Sequence, residues 1–205
     1  DLSSFYLDIA KDTLYIEKAD DVRRSSIQTV LYDSLQSLTK LLAPIMPHTM
    51  EEVWSYIDGV DEESVQLTDM PEVTQIPNAQ ETKEKWEEIV AIRDEILKAL
   101  EEARNEKIIG KSLEAKVTLY PSKVAQELLS EAGSLEQLLI VSKVEVAGQK
   151  ENAPNEAQAF EHVHVIVQKA EGETCERCWN VSTEVGKHKE HPTLCSRCFT
   201  VITTE

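Results

Sequence analysis

All four cysteines of this chain lie in its last 31 residues, in the segment CERCWNVSTEVGKHKEHPTLCSRC. They form two Cys-x-x-Cys pairs, Cys175 with Cys178 and Cys195 with Cys198, separated by sixteen residues. Each pair can form a tight turn that brings two sulfurs together, and two such turns can surround one zinc ion. The spacing predicts one structural zinc site, whose binding would supply much of the folding free energy of this short segment.

The residues alone leave four alternatives to zinc held by four cysteines. Disulfides would suit an oxidising compartment, a dithiol redox centre would need only one pair, and a rubredoxin-type iron site uses the same sulfurs. His188 or His191 could replace one cysteine as a ligand. A closed four-sulfur site leaves no open position for a substrate or an activated water, so its expected role is structural.

Basic and aromatic residues surround these thiols. Arg177 lies inside the first pair and Trp179 directly follows it, and the segment also contains Lys187, His188, Lys189 and Arg197. A tryptophan beside cationic residues is typical of surfaces that stack on an unpaired base and hold nearby phosphates. The alternative is that Trp179 only packs the small zinc core.

The formal net charge of −17 argues against a protein that coats nucleic acid nonspecifically. The charge is uneven: residues 172–205 have five acidic and four basic residues, a balance of −1, which leaves −16 for the rest. No stretch approaches the roughly 20 apolar residues that span a bilayer, and no secretory segment is recognisable. We therefore expect a cytoplasmic location. The chain starts with acidic residues and has no initial Met, so it resembles the interior of a longer chain.

The first 58 residues have the periodicity of amphipathic helices that need partners, as in a bundle. One predicted helical face is formed by Ile27, Leu31, Leu35, Leu38, Leu42 and Ile45. Ser25 and Thr49 each precede a Gln or Glu by three positions, so they predict capping boxes at two helix starts. Pro44 and Pro47 are expected to break the helix between them.

A turn-rich segment, 59–80, is predicted to be a linker. A long helix is expected over 81–107, with its apolar side at Ile89, Ile92, Ile96, Leu100 and Ala103. After this helix the apolar residues alternate with polar ones, as in a strand. Strands are predicted around 115–119, 140–147 and 162–170, with a helix over 122–133. His162 and His164 share one face of the last strand and are expected to be structural, and Trp54 and Trp86 are expected to be packing residues.

Five stretches together resemble the carboxy-terminal part of the bacterial isoleucyl-tRNA synthetases, a family of class I aminoacyl-tRNA synthetases. They cover almost the whole chain: FYLDIAKDTLY (5–15), RRSSIQTVLYDSL (23–35), LLAPIMPHTMEEVW (41–54), IGKSLEAKVTLY (109–120) and CERCW with CSRC (175–198). The resemblance implies a multidomain fold, mainly α and then α+β. Its parts would be an anticodon-binding helical bundle at 1–58 without its earliest elements, the linker at 59–80, an α/β junction domain at 81–170 and a zinc-binding domain at 171–205.

The resemblance also implies a function. The whole enzyme would activate isoleucine with ATP and attach it to its tRNA, whereas this segment would recognise the anticodon loop as part of a monomer. The class signatures His-Ile-Gly-His and Lys-Met-Ser-Lys-Ser are absent from this sequence, and so is the editing domain, so no catalytic residue is expected here. ATP and isoleucine would bind the missing catalytic domain, and neither DNA nor a membrane is an expected partner.

Within this resemblance, Trp179 is the expected stacking residue and Arg177 the expected donor to a base edge or phosphate. The other candidate tRNA contacts are Lys187, Lys189, Arg197, Arg104, Lys107, Lys111, Arg23 and Arg24. A competing hypothesis is a zinc-ribbon scaffold that joins other proteins without touching RNA, and a third is an autonomous redox enzyme with reactive thiols. The basic and aromatic residues around the thiols, together with the five matching stretches, favour tRNA recognition over both.

Overall fold

Two units make up the described part of the chain, residues 2–204 of a computed structural model. The larger unit extends up to Ile16 and resumes at Asn78, and the smaller unit is Glu17–Pro77. The architecture is rich in helix, with small sheets and a cluster of four cysteines near the end. None of the helices described over 2–204 is both long and apolar enough to cross a membrane.

The smaller unit is built on two helices, α2 (Val22–Leu42) and α3 (Pro47–Ser55). The predicted capping boxes at Ser25 and Thr49 are both wrong. Helix α2 begins earlier because the carboxylate of Asp21, in extended conformation, accepts a hydrogen bond of 2.9 Å from the backbone N–H of Arg24. Helix α3 begins at Pro47, whose fixed φ and missing N–H suit the first helical position.

The core of the smaller unit includes part of the predicted linker. Trp54 is 3% exposed, which confirms its packing role, and its indole N–H donates to the backbone carbonyl of Glu62 at 2.9 Å. A 3₁₀ turn at Val65–Leu67 adds the buried Val65 to the same core. Residues 69–76, in the second half of the predicted linker, have no regular secondary structure.

The predicted apolar face of α2 is not buried in the described part of the chain. Leu35 and Leu38 are 45% and 43% exposed, and Ile45, beyond the helix end, is 75% exposed. The buried residue of α2 is Thr39. Leu42, in contrast, is half-buried and packs against the core of the smaller unit, so the face is covered only in part among the residues described.

The larger unit begins with a π-helical turn, Leu2–Tyr6, followed by α1 (Leu7–Ile16), and continues with α4 (Ala79–Asn105). The predicted apolar side of α4 is confirmed, since its five residues are at most 1% exposed. Trp86, in contrast, is 37% exposed and contacts the ring of Phe5 edge-on, so it is not a core residue.

Helix α4 packs against a four-stranded sheet of order β2-β1-β4-β3. The strands are β1 (Ala115–Pro121), β2 (Lys143–Val146), β3 (Gln158–Ala159) and β4 (Val163–Lys169). Strands β1 and β2 are parallel, and the other two pairings are antiparallel. The three predicted strands are therefore confirmed, with shorter bounds in β2.

Two short helices connect β1 to β2, namely α5 (Lys123–Glu131) and α6 (Leu135–Leu139). Helix α5 matches the predicted helix at 122–133, and its end precedes Gly133, which has a positive φ of 83°. Helix α6 was not predicted, because five residues are too short for a periodic signal.

The domain boundaries predicted at 58 and 80 differ from the grouping in the structure. Helix α1 belongs to the same unit as the α/β sheet, and it contacts α6. The chain enters the smaller unit only after Ile16 and leaves it at Pro77. The first predicted helix thus contributes to the part of the molecule that also carries the cysteines.

Candidate metal centre and nucleic-acid interface

The four predicted metal ligands converge on one point. The sulfur atoms of Cys175, Cys178, Cys195 and Cys198 all lie within 4.8 Å of one another, and all four residues are buried. The Cys178 and Cys195 sulfurs are 3.7 Å apart. Tetrahedral zinc with Zn–S bonds of about 2.3 Å places its sulfur ligands about 3.8 Å apart, so the arrangement has the size that the ion requires.

The first cysteine pair lies in the turn between two short strands, β5 (Glu173–Thr174) and β6 (Val181–Ser182). The N–H of Cys175 donates to the carbonyl of Asn180 at 2.9 Å, and the N–H of Trp179 donates to the carbonyl of Cys175 at 2.8 Å. These bonds close the turn and direct both sulfurs to one side.

The second cysteine pair is positioned by a helix, α7 (Ser196–Thr203). Cys195 caps its amino terminus and Cys198 lies in its first turn, where the N–H of Phe199 donates to the carbonyl of Cys195 at 2.9 Å. The two pairs are also tied together, because the N–H of Glu176 donates to the carbonyl of Thr193 at 3.1 Å. A strand turn and a helix start thus form the two halves of the site.

Backbone N–H groups around Cys175 favour its thiolate. Burial acts to raise the pKa of this thiol, but backbone donors of Cys178, Cys195 and Arg177 outweigh it and lower the pKa to about 6. The N–H of Cys195 lies 3.4 Å from the Cys175 sulfur. Burial raises the pKa of Cys198 to about 11 and raises that of Cys178 further. Four buried thiols cannot all ionise without a compensating cation, which is the environment that a divalent metal supplies.

The two neighbouring histidines lie outside the sulfur cluster. The ring of His188 stacks on Phe199 with centroids 3.9 Å apart, and its Nε2 lies 3.0 Å from the hydroxyl of Ser196. His191 is tilted against the same phenylalanine at 6.1 Å. Both rings therefore pack on α7, and the four sulfurs could hold a metal ion without either histidine.

The hairpin that carries the first pair depends on Gly172. Its φ is +113°, and a Cβ atom at this position would lie 2.3 Å from the backbone carbonyl of Ser182. We expect Gly172→Ala to weaken zinc binding about 100-fold or more, because metal binding and folding of this segment are coupled. Competition with a chromophoric chelator measures the affinity.

Gly186→Ala is the matched control for that change. Gly186 also has a positive φ, +91°, but a Cβ atom there would meet no other part of the described chain within 4 Å, so only the conformational penalty applies. That penalty is about 1–2 kcal/mol, which corresponds to about tenfold in zinc affinity. Equal losses in the two variants would show that close packing at Gly172 does not matter.

Trp179 projects from the metal centre into solvent, with 60% of its surface exposed. Its φ is +65°, a left-handed conformation that is rare for a bulky residue and costs about 1–2 kcal/mol. The ammonium of Lys111 lies 5.7 Å from the ring centroid, within the range of a cation–π contact. The indole therefore lies at the edge of the cysteine cluster and is accessible from solvent. Trp179 does not pack the zinc core.

Beside Trp179 is a cleft of about 430 Å³ between α1, α6 and the first cysteine pair. Its lining includes the polar side chains Asp12, Gln137, Arg177, Asn180 and Arg197. This volume lies in the range of small-ligand sites, and the guanidinium and amide groups among these side chains are of the kinds that hydrogen-bond base edges.

The two arginines of this segment have different partners. The guanidinium of Arg177 lies 3.8 Å from the sulfur of Cys198 and lines the cleft beside Trp179. The guanidinium of Arg197 forms two bonds with the carboxylate of Asp12, at 3.0 and 2.7 Å. Arg197 is therefore bonded to another residue of the same chain. The sequence did not predict this contact, because Asp12 is 185 positions away.

The remaining predicted tRNA contacts fall in three places. Lys187 and Lys189 are exposed in the loop between the cysteine pairs. Arg104, Lys107 and Lys111 lie at or just beyond the end of α4, where Arg104 donates to the hydroxyl of Ser112 at 2.9 Å and Lys107 has a φ of 62°. Arg23 and Arg24 belong to the first turn of α2 in the smaller unit. Of all these side chains, Lys111 is the one that contacts the ring of Trp179.

His162, expected to be structural, has a partner that the sequence did not indicate. Its Nδ1 lies 2.8 Å from Oε1 of Glu95, and its backbone N–H donates to Oε2 at 3.0 Å. These two bonds link α4 to the start of β4. No local sequence pattern predicts this pair, because 67 positions separate the two residues.

Two family profiles match the chain. Residues 1–119 match the anticodon-binding domain of tRNA ligases, and residues 172–201 match a zinc finger found in FPG and IleRS. The second match and the four clustered sulfurs fit one structural zinc ion, as the cysteine spacing predicted. The zinc-finger profile favours zinc over the disulfide, redox, iron and histidine alternatives.

Similar proteins are named isoleucine--tRNA ligase. The one from Halalkalibacterium halodurans is 55% identical over 204 residues, and those from Bacillus cereus and Bacillus mycoides are 58% and 57% identical over 203 residues. These alignments cover 98–100% of this chain but 22% of each relative, so the chain spans about a fifth of their length. Because the anticodon-binding profile covers more than half of the residues, the chain belongs to the family of anticodon-binding domains of tRNA ligases. In this chain that domain is followed by a zinc finger of the FPG and IleRS type.

Proposed function

We propose that this chain is the tRNA-recognition segment of an isoleucine--tRNA ligase and that it binds the anticodon loop of isoleucine tRNA. The observation that carries the proposal is the exposed Trp179, held in a left-handed conformation by the turn that also positions two zinc ligands. Anticodon loops offer unpaired bases, and such bases are read by stacking on aromatic rings and by hydrogen bonds to their edges.

In this proposal the metal has a structural role, and the residues around it bind the tRNA. Zinc holds the turn rigid, Trp179 stacks on one unpaired base, and Arg177 donates to a base edge or phosphate. Lys111 adds positive charge beside the ring. Weaker phosphate contacts are assigned to five exposed residues and to the half-buried Arg24, the five being Lys187, Lys189, Arg104, Lys107 and Arg23.

The whole ligase would activate isoleucine with ATP and transfer it to the tRNA. We assign those steps to other parts of the ligase, because this chain has neither the His-Ile-Gly-His nor the Lys-Met-Ser-Lys-Ser signature. We further propose a monomeric, cytoplasmic enzyme in which the helices within 1–105 contribute to anticodon binding, the four-stranded sheet within 115–170 to a junction domain and 171–205 to the zinc domain.

The net charge of −17 is compatible with selective binding of tRNA. Acidic surface repels nucleic acid that lacks the recognised bases, because nonspecific affinity comes from phosphate contacts with Lys and Arg. Selectivity would then come from the few stacked and hydrogen-bonded bases near the zinc centre. This division of roles explains how an acidic protein can bind one RNA and reject others.

A competition experiment with the full-length ligase tests the proposal. Isoleucine tRNA should displace a labelled copy of itself, whereas the same tRNA with a changed anticodon should compete at least about tenfold less well at equal salt. Equal competition by both RNAs would contradict anticodon recognition. Absence of RNA binding together with intact zinc content would favour the protein-interaction scaffold instead.

A further inference from the structure

Asp12 connects three helices that are far apart in the sequence. Its carboxylate accepts two hydrogen bonds from the fork of Arg197 on α7 and one of 2.7 Å from the amide of Gln137 on α6. The same amide also donates to the hydroxyl of Thr13, at 3.1 Å. The helix that precedes the smaller unit is thereby tied both to the α/β sheet and to the zinc segment.

The contact between Asp12 and Arg197 fixes an orientation as well as a distance. Two parallel N–H···O bonds between a guanidinium and a carboxylate define the plane and direction of both groups. Arg197 lies between the ligands Cys195 and Cys198, so the helix that carries it cannot turn without moving two sulfurs. Its side chain is 37% exposed and that of Asp12 is 23% exposed, so the pair is partly shielded from solvent.

A second contact joins α1 to the metal centre. Ile16, the last residue of α1, is 7% exposed and packs in one apolar cluster with the four cysteines and Leu194. The cleft beside Trp179 is bounded by this same helix. The position of the indole relative to α1 therefore depends on both contacts, and Asp12 supplies the directional one.

We propose that Asp12 is a positioning residue that docks the zinc segment on α1 and so presents Trp179 to tRNA before the tRNA arrives. This inference rests on the proposed function, and it gives Arg197 an internal role in place of a direct tRNA contact. Pre-orientation matters because a segment that must be ordered during binding loses affinity by that cost. Asp12 itself touches no RNA in this arrangement.

The sign of one mutational effect separates docking from direct contact. If Asp12 docks the zinc segment, Asp12→Asn in the full-length ligase raises the KM for isoleucine tRNA about five- to tenfold, in the range of coupling between contacting residues. Its kcat, isoleucine activation and zinc content of one ion per chain stay unchanged. If Arg197 instead binds phosphate, loss of the nearby negative charge frees it and lowers the KM.

Glu87→Gln is the matched control. Glu87 lies on α4 in the same unit, pairs with Lys83 at 3.8 Å, is 65% exposed and does not line the cleft beside Trp179, so the variant removes the same charge without touching the zinc segment. We expect less than about a twofold change in the KM for tRNA, because exposed ion pairs contribute little. Equal effects of Glu87→Gln and Asp12→Asn would assign the change to net charge and overturn the docking role.

A charge exchange completes the test. Arg197→Ala should raise the KM as much as Asp12→Asn, the double variant should be no worse than either, and Asp12→Arg with Arg197→Asp should recover part of the loss. An unchanged or lower KM in Asp12→Asn, or loss of its zinc, overturns the inference. The proposed function is judged separately by Trp179→Ala: if that change leaves tRNA charging intact, the stacking role fails whatever Asp12→Asn does.

Discussion

Trp179→Ala in the full-length ligase is expected to lower kcat/KM for charging of isoleucine tRNA by about 5- to 150-fold. This range corresponds to the roughly 1–3 kcal/mol that one base–aromatic stack contributes. Isoleucine-dependent exchange of pyrophosphate into ATP should stay unchanged, because no tRNA takes part in that step. Measuring both reactions on one preparation separates lost recognition from lost folding.

Two further variants make this result specific. Trp179→Phe keeps a stacking surface and should recover most of the activity, whereas Trp86→Ala removes another partly exposed indole of the same unit and should have little effect. A parallel fall of charging and pyrophosphate exchange in Trp179→Ala would indicate misfolding. A charging rate equal to that of the unmodified enzyme would remove Trp179 from the recognition surface.

Cys175→Ser is expected to abolish metal binding and to unfold the zinc segment. The buried sulfur of Cys175 is one of four that converge within 4.8 Å, and three ligands hold zinc far less tightly than four. Zinc content should fall from about one ion per chain to less than about 0.1, because the free energy of metal binding is also the folding free energy of this segment. Elemental analysis gives the stoichiometry and distinguishes zinc from iron.

Amide hydrogen exchange shows where the loss of metal acts. Protection should disappear over 172–204 in Cys175→Ser, while α4 and the four-stranded sheet, which have their own apolar core, stay protected. Thr200→Ala, an exposed change on α7, should keep both metal and protection. Full zinc content in Cys175→Ser, or a protected zinc segment without metal, would contradict the four-sulfur assignment.

Signals that are local in sequence predicted much of this structure. The two Cys-x-x-Cys pairs identified the metal centre because each turn is formed by neighbouring residues. The apolar side of α4 and the alternation in β1 were also readable, since both faces are buried within one unit. The basic and aromatic residues beside Cys178 identified Trp179 as a candidate, and its exposure agrees with a binding role.

Other features could not be predicted from the sequence. They depend on tertiary contacts, or on which of several equally suitable residues caps a helix. Asp21 caps α2 in place of Ser25, although both residue types are good caps and the choice depends on where packing lets the helix begin. The apolar face of α2 predicted partners that the described residues supply only in part, at Leu42. The bond from Arg197 to Asp12 joins residues 185 positions apart, and this contact changes the role that composition suggested for Arg197.

Photo-crosslinking can show directly whether Trp179, on its zinc-held turn, contacts an unpaired base of the tRNA. Isoleucine tRNA with 4-thiouridine in the anticodon loop would be irradiated with the full-length ligase, and the crosslinked peptide identified by mass spectrometry. We expect a crosslink within 175–198 that centres on Trp179 and disappears when the zinc is removed by a chelator. Crosslinks that leave 175–198 untouched, in an enzyme that still charges its tRNA, would contradict it.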